Sequence, residues 1–395
     1  MSSELESSQK GGRKPALPPE IAEAAAKLPV RDFEGALIRL CEADARMLPG
    51  DLLMLSGASP AETALWREAW SKLDQGHRRK LAEHLLEAAE RDIHIDIRPL
   101  FRELIEDSEP EIRVLGIEGL WEATELGLIE RFATILREDS SDRVRARAAA
   151  VLGSFIELGE LRRSVRPRVA PVLDLLLDLA ADEREDPDLR RHALASAGYA
   201  EHPDLAGLIE AALASELIEL QAGALRAMGN SADEDWGEEV LSWLDEDEPE
   251  LRFEAIHAAG ELALVGAVPQ LSSIARFEED RALRAEAIWS LGEIGGKAAH
   301  RILEAVAADV VGVDEDLAEA VEEALASCAL IEGSFGMPLD PAKLALGGAS
   351  DGDDEDEDLD DEDFIDDLND LDDLDDLDVL DDDDLDDIGF DDDED

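Results

Sequence analysis

One pattern recurs along the middle of this chain, and it restricts the fold more than any other feature. It emerges when "EPEIRVLGIEGLW" (109–121), "SDRVRARAAAVLG" (141–153), "DPDLRRHALASAG" (186–198), "EPELRFEAIHAAG" (248–260) and "DRALRAEAIWSLG" (280–292) are aligned. Each copy opens on an acidic or polar residue. An apolar residue followed by Arg comes next, then small or branched apolar residues, and most copies close on Gly. A sixth copy, "LIELQAGALRAMG" (217–229), has Gln221 in the arginine slot. The slot residues Arg113, Arg145, Arg190, Gln221, Arg252 and Arg284 are separated by 32, 45, 31, 31 and 32 residues. A period of this length means stacked supersecondary units rather than one ordinary core.

Each copy reads as a helix pair. In the copy at 248, Leu251, Ala255, Ile256, Ala259 and Leu262 recur at helical spacing and form one apolar stripe. Glu248-Pro249 starts that helix, because Pro fits the first turn and acids favour the positive end of the helix dipole. A break near Gly266 leads to a second helix carrying Val268, Leu271 and Ile274. One such pair cannot bury its faces alone, so stacking is obligatory. The small residues in the middle of each first helix let neighbours approach closely. The 45-residue interval holds an insertion near 161–185, expected as a lengthened second helix with an extended loop on an exposed face.

The rest of the chain divides around this array. Residues 1–18 are expected to be disordered and 19–107 to form a helical N-terminal cap region. Within that region Ser59, Pro60 and Glu62 spell a capping box. The array occupies 108–332, about six repeats plus a half-repeat at 314–328. Residues 333–350 read as a linker rich in Gly, Pro and Ser, and 351–395 as a disordered Asp/Leu-rich tail.

The copies resemble HEAT repeats of the short bacterial type, on the pattern D-x-x-V-R-x-x-A-A-x-A-L-G kept in "SDRVRARAAAVLG" and "DRALRAEAIWSLG". The resemblance implies an all-α fold, a right-handed α-solenoid of stacked helix pairs. It also implies a scaffold that binds other proteins along one face. Two enzymatic families are similar in fold, deoxyhypusine hydroxylase and the phycobilin lyases. The first binds iron through His-Glu dipeptides. Here His77, His84, His94, His192, His202, His257 and His300 are each followed by a residue other than Glu. A non-haem iron site therefore lacks its ligand pairs. No residue signals a tetrapyrrole pocket. The expectation is a non-catalytic protein without a cofactor or metal, with an enzyme or chromophore-processing protein as the alternative.

Other chemistry is scarce. "LGEIGGKAAH" (291–300) departs from the phosphate-loop pattern, since Gly292 lies one residue too close to Gly296-Lys297 and Ala298 replaces Ser or Thr. It reads as a helix end and turn. The slot arginines Arg113, Arg145, Arg190, Arg252 and Arg284 read as a structural ladder between adjacent repeats, with Asp142, Asp186 and Asp280 as acidic partners. The six tryptophans read as core, any exposed one being an anchor candidate. Cys41 and Cys328 have no metal spacing and read as buried free thiols.

Charge narrows the partners. The formal net charge is -64. Residues 351–395 hold 30 of the 100 acidic residues and no Lys or Arg, so the other 350 residues carry 70 acids against 36 basic residues. Such acidity argues against direct nucleic-acid binding and favours basic protein partners. One stretch departs from it. Arg143, Arg145, Arg147, Arg162, Arg163, Arg166 and Arg168 form a candidate patch for an acidic ligand or segment. In the tail, Leu368, Leu371, Leu374, Leu377 and Leu380 recur every third residue, which makes no steady stripe on a helix or a strand. With Phe364, Ile365 and Phe390 they remain candidate docking points. The tail is expected to bind a basic partner or to fold back and mask the array. No signal peptide or membrane-spanning run is expected, and the default location is cytoplasmic.

Overall fold

A computed structural model describes residues 32–42, 49–91, 94–310 and 314–331. The expected disordered N-terminus, the linker and the acidic tail lie outside the described residues. Every regular element among the described residues is a helix. No helix among them is long and apolar enough to cross a membrane. The chain divides into two compact units, residues 1–151 and 152–395, with the division inside one long helix.

The first unit holds α1 (Phe33–Leu40), α2 (Pro49–Leu55), α3 (Pro60–Trp70), α4 (Gln75–Arg91), α5 (Arg98–Leu104), α6 (Pro110–Glu118), α7 (Gly127–Glu138) and the first half of α8 (Asp142–Leu161). The capping box forms at α3: the Ser59 amide donates to Glu62 Oε2 at 2.8 Å and the Glu62 amide to Ser59 Oγ at 3.4 Å. Trp66 and Trp70, one helical turn apart, stack with ring centroids 5.1 Å apart in the core. Asp107 is buried beside them. It accepts from Trp70 Nε1 and Arg78 Nη1, both at 2.7 Å, and from the Glu109 amide at 2.9 Å. Three donors, one of them charged, offset the large cost of burying a carboxylate.

The second unit holds the rest of α8, then α9 (Arg166–Ala181), α10 (Pro187–Ala197), α11 (Leu205–Leu213), α12 (Ile218–Asn230), α13 (Gly237–Ser242), α14 (Pro249–Glu261), α15 (Val268–Phe277), α16 (Arg281–Ile294), α17 (Gly296–Val310) and α18 (Glu315–Ile331). The first helices α10, α12, α14, α16 and α18 stack directly on one another as one layer, and α11, α13, α15 and α17 cover them. In α14 the stripe Leu251, Ala255, Ile256, Ala259 and Leu262 is buried, together with Val268, Leu271 and Ile274 of α15. A single 3-10 turn, Val265–Ala267, joins the two. The last half-repeat is α18, which turns Leu317, Val321, Ala324 and Cys328 inward.

Close approaches fall in the middle of first helices, where a Cβ on Gly223 would lie 2.9 Å from Arg191 Cα, and at the closing glycines. A Cβ on Gly198 would lie 2.8 Å from Ala227 Cα, and one on Gly229 2.9 Å from Ala258 Cα. The same atom on Gly260 would lie 2.9 Å from Ser290 Cα, and on Gly292 2.8 Å from Ala324 Cα. Each of Gly198, Gly229 and Gly260 thus meets the residue two positions before the next closing glycine. Glycine inside a helix costs about 0.5–1 kcal/mol relative to alanine. Forcing a methyl against a neighbouring backbone costs about 1–3 kcal/mol. The second figure is larger, so glycine is the more stable choice here.

The inserted segment differs from expectation. It makes no extended loop: α8 runs for 20 residues and α9 for 16, joined by the short turn 162–165. Leucine and alanine dominate "VLDLLLDLAA" and favour continued helix. Pro171 is accommodated inside α9 at an exposed position. "LGEIGGKAAH" forms the junction of α16 and α17, where Gly295 (φ 67°) and Gly296 (φ 80°) adopt left-handed backbone.

Candidate protein-binding face

The slot residues grip the C-terminal ends of second helices. Arg145 Nε donates to Leu136 O at 2.9 Å, Arg190 Nε to Ala180 O at 3.1 Å and Arg284 Nε to Ala275 O at 3.2 Å. Gln221, the degenerate member, makes the equivalent bond from Nε2 to Leu213 O at 3.3 Å. All four acceptors lie in the last turn of the preceding second helix, whose carbonyls have no intrahelical donor. Arg113 and Arg252 reach instead for the carboxylate just beyond the second helix of their own repeat. Arg113 binds Asp139 through both oxygens at 2.7 and 2.8 Å, and Arg252 binds Glu278 at 3.0 Å. Asp142 pairs with Arg145 at 3.0 Å. Asp186 and Asp280 accept from the backbone amides of Asp188 and Ala282 and so cap their own helices.

The arginine-rich stretch is partly neutralised. In the first unit Arg143 is exposed and Arg147 pairs with Glu118 at 3.0 Å. In the second unit Arg162, Arg163 and Arg168 are exposed, and Arg166 pairs with Glu160. The candidate tail docking residues Phe364, Ile365, Leu368, Leu371, Leu374, Leu377, Leu380 and Phe390 lie outside the described residues. Of the tryptophans, Trp66 and Trp70 are core, Trp236, Trp243 and Trp289 are half-buried, and Trp121 is 60% exposed. Trp121 rims a cleft of about 410 Å³ whose floor includes Leu86, Ile97 and Phe101. Cys328 is buried and Cys41 half-buried, both as free thiols.

A different set of side chains is organised by the repeat. The residues three before each closing glycine are Ala195, Arg226, His257 and Trp289, and those one after are Tyr199, Asn230, Glu261 and Glu293. Both rows lie on the first-helix layer. The His257 ring stacks on Trp289 with centroids 4.7 Å apart and planes 9° from parallel. Its Nδ1 lies 2.6 Å from Glu286 Oε1, and its Nε2 lies 3.5 Å from Glu261. Nearer the helix starts, Glu254 is buried between two arginines. It accepts from Arg191 Nη2 at 2.9 Å and from Arg226 Nε at 2.6 Å, while Arg191 also reaches Glu250. Burial raises the Glu261 carboxyl above the ordinary range, and Glu293 and Glu157 add to it against His257 and Arg226. Burial, and then Glu261 and Glu157, raise the Tyr199 hydroxyl in the same way.

The repeats have a known counterpart. The profile of the family described as HEAT repeats matches residues 205–292 and again 237–326. Residues 205–326 are HEAT repeats. Among solved structures, human deoxyhypusine hydroxylase is 20% identical over 79% of this chain and 99% of its own, with a TM-score of 0.33. An engineered protein is 17% identical over 78% and 90%, with a TM-score of 0.34. Importin beta is 12% identical over 75% of this chain and 46% of its own, with a TM-score of 0.36. A comparison with curated proteins finds no match.

No group of three or more His, Cys, Asp or Glu among the described residues is arranged to hold a metal ion. What the stacking does arrange is a polar and aromatic face in fixed register. The slot arginine, the most conspicuous letter of each copy, is spent on helix ends. The face is carried by less regular letters whose common property is their offset from the closing glycine. That offset was available in the sequence. What each position carried looked unrelated until the glycines were seen to set the stacking.

Proposed function

We propose that the chain is a non-catalytic scaffold that holds protein partners on the first-helix face of residues 187–331. The observation that supports it is the Arg191–Glu254–Arg226 and Glu286–His257–Trp289 series. These side chains lie on four successive helices and are already fixed by one another before any partner arrives. Pre-organised polar and aromatic groups lose little entropy on binding. Partner binding is a property of the assembled layer, because each repeat supplies only one residue to each row.

The acidic tail acts with this face as a second element. It binds a basic partner in trans or covers exposed arginines such as Arg162 and Arg163. Either role weakens as salt screens the charges. The test is affinity purification from the native cell with mass spectrometry. It compares the full chain, a Trp289→Ala/Glu293→Lys variant and a chain lacking residues 351–395. Partners should be lost from the face variant. The truncated chain should capture a changed set at low salt and the full-chain set at high salt. Identical recoveries from all three would end the scaffold reading. Bound iron or a tetrapyrrole absorbance in the purified protein would replace it with an enzymatic or chromophore-processing one.

A further inference from the structure

The first copy of the repeat breaks the pattern at its last letter. Where the other copies close on Gly153, Gly198, Gly229, Gly260 and Gly292, the copy at 109 closes on Trp121. Helix α6 stops at Glu118, so this ring lies beyond it and is 60% exposed. An exposed indole forfeits the apolar burial that a tryptophan ordinarily gains. The ring does not stand alone on the surface, because it rims the cleft floored by Leu86, Ile97 and Phe101. Gly119 beside it has no room for a Cβ against the Phe101 ring, so a side chain there would displace the floor. At about 410 Å³ the cleft falls within the ~300–1,000 Å³ range of pockets that take up ligands.

Charge at the rim favours one sign. Glu90 and Glu122 are exposed along it. Arg98 also lines the cleft, but Asp96 neutralises it through both carboxylate oxygens, at 2.8 and 3.1 Å. The cleft thus offers an aromatic ring and two carboxylates. Proline-bearing chain docks on aromatic-lined grooves as an extended helix that loses little entropy. Lysine and arginine answer both the carboxylates and the ring. One stretch of this chain has both properties. Between Glu6 and Glu20 it reads "SSQKGGRKPALPP", with Lys10, Arg13 and Lys14, three prolines and no acid. That composition is out of keeping with a chain of net charge -64. The acidic residues 351–395 are repelled by Glu90 and Glu122 and do not suit the cleft.

The basic stretch is also within reach. The described residues begin at Asp32, whose amide lies 3.3 Å from Met54 Sδ. Two residues beyond Met54, Ser56 Oγ accepts from the Asp96 amide at 2.9 Å, and the Gly57 amide donates to Asp96 O at 2.6 Å. Asp96 lines the cleft. Thirteen residue steps separate Pro19 from Asp32. They span about 45 Å fully extended and about 20 Å as a helix. Either length covers a gap bridged by the Met54 side chain and two further residues.

We propose that residues 10–19 of the chain dock in this cleft, with the prolines against Trp121 and the basic side chains at Glu90 and Glu122. The site lies in the first unit and does not rest on the scaffold reading. A short tether holds the segment at an effective concentration of about 1 mM, so it stays seated even with an intrinsic Kd of about 0.1 mM.

The test uses full-length chains and a fluorescently labelled peptide of residues 7–19, with binding followed by anisotropy. Lys10→Ser with Arg13→Ser and Lys14→Ser disables the tethered competitor. That variant should bind the peptide about tenfold more tightly than the wild type, the ratio of the effective concentration to the Kd. Adding Trp121→Ala should weaken its peptide binding by about tenfold. Adding Glu90→Gln and Glu122→Gln instead, at exposed positions, should weaken it by about three- to fivefold, and by less at high salt. The acidic tail also attracts a basic peptide, so a scrambled peptide of the same composition measures that background. Equal affinity for the wild type and the triple variant, or for the native and scrambled peptides, would overturn the proposal. So would changes below about twofold in both the Trp121 and the glutamate variants, with unchanged melting temperatures. Shielding of the wild-type cleft that fades as the protein is diluted would assign the segment to a second copy, and the proposal would again be wrong.

Discussion

First helices and second helices of the same repeats are held by different physics. The first helices meet backbone to backbone, with Gly198, Gly229, Gly260 and Gly292 each leaving no room for a methyl group. The second helices pack through apolar side chains such as Val268, Leu271 and Ile274, take single end donors from Arg190, Gln221 and Arg284, and leave Phe277 exposed. A close-packed layer transmits small volume changes, so it holds rows of side chains in register. A layer that meets its neighbour through side chains rather than backbone tolerates a small added group better. The scaffold reading places its proposed binding face on the first layer for that reason.

Substitutions can break the contrast, and the largest effect belongs to the glycines. Gly260→Ala should destabilise by about 1–3 kcal/mol in chemical denaturation, because the new methyl meets Ser290 Cα rather than a movable side-chain tip. A cost below that of an exposed substitution would show that the layers are not distinct. The end contacts should matter less. Arg284→Met should cost about 1 kcal/mol, the worth of one hydrogen bond to a helix-end carbonyl. Arg284→Gln should cost less than Arg284→Met, since Gln221 makes that bond in its own copy.

A smaller effect of opposite sign is expected on the second layer. Gly207 in α11 has open space where a Cβ would go, so Gly207→Ala should stabilise by about 0.5–1 kcal/mol. The same change thus has opposite signs in the two layers. The smallest effect depends on pH. The Glu261 carboxyl is raised in the folded state, so the folded state holds its proton more tightly than the unfolded chain. Stability is therefore lost as pH rises from the ordinary carboxylate value through the raised one, and the loss is complete above it. Glu261→Gln should melt higher than the wild type at neutral pH. The difference should vanish in acid, below about pH 4. A melting-temperature series against pH checks the sign.

Much of the fold was legible before any coordinates. The period, the helix pair, the capping box at Ser59 and the stripe from Leu251 to Leu262 follow from local rules acting within a few residues. The inserted segment misled because periodicity cannot tell where a long helix yields to a loop, and the extra residues entered both α8 and α9. The face was harder. Arg226, His257 and Trp289 share neither type nor motif, and what orders them is the stacking of helices about thirty positions apart, shown where His257 lies on Trp289 and Arg226 on Glu254. Asp186 and Asp280 illustrate the same limit. Their spacing from Arg190 and Arg284 suggested ion pairs, yet their carboxylates take nearer backbone amides, and the arginines extend to the helix before.

By itself the sequence determined that the chain builds helix pairs at a fixed period, because apolar spacing and cap residues act locally. It determined also that charge is heavily negative. The tertiary structure alone decided which letters of the repeat serve packing and which are left on the open face. The slot arginines turned inward to helix ends, and the closing glycines set how near two backbones come. The residue after each glycine was left on the open side of the layer, where Glu293 acts on the carboxyl of Glu261.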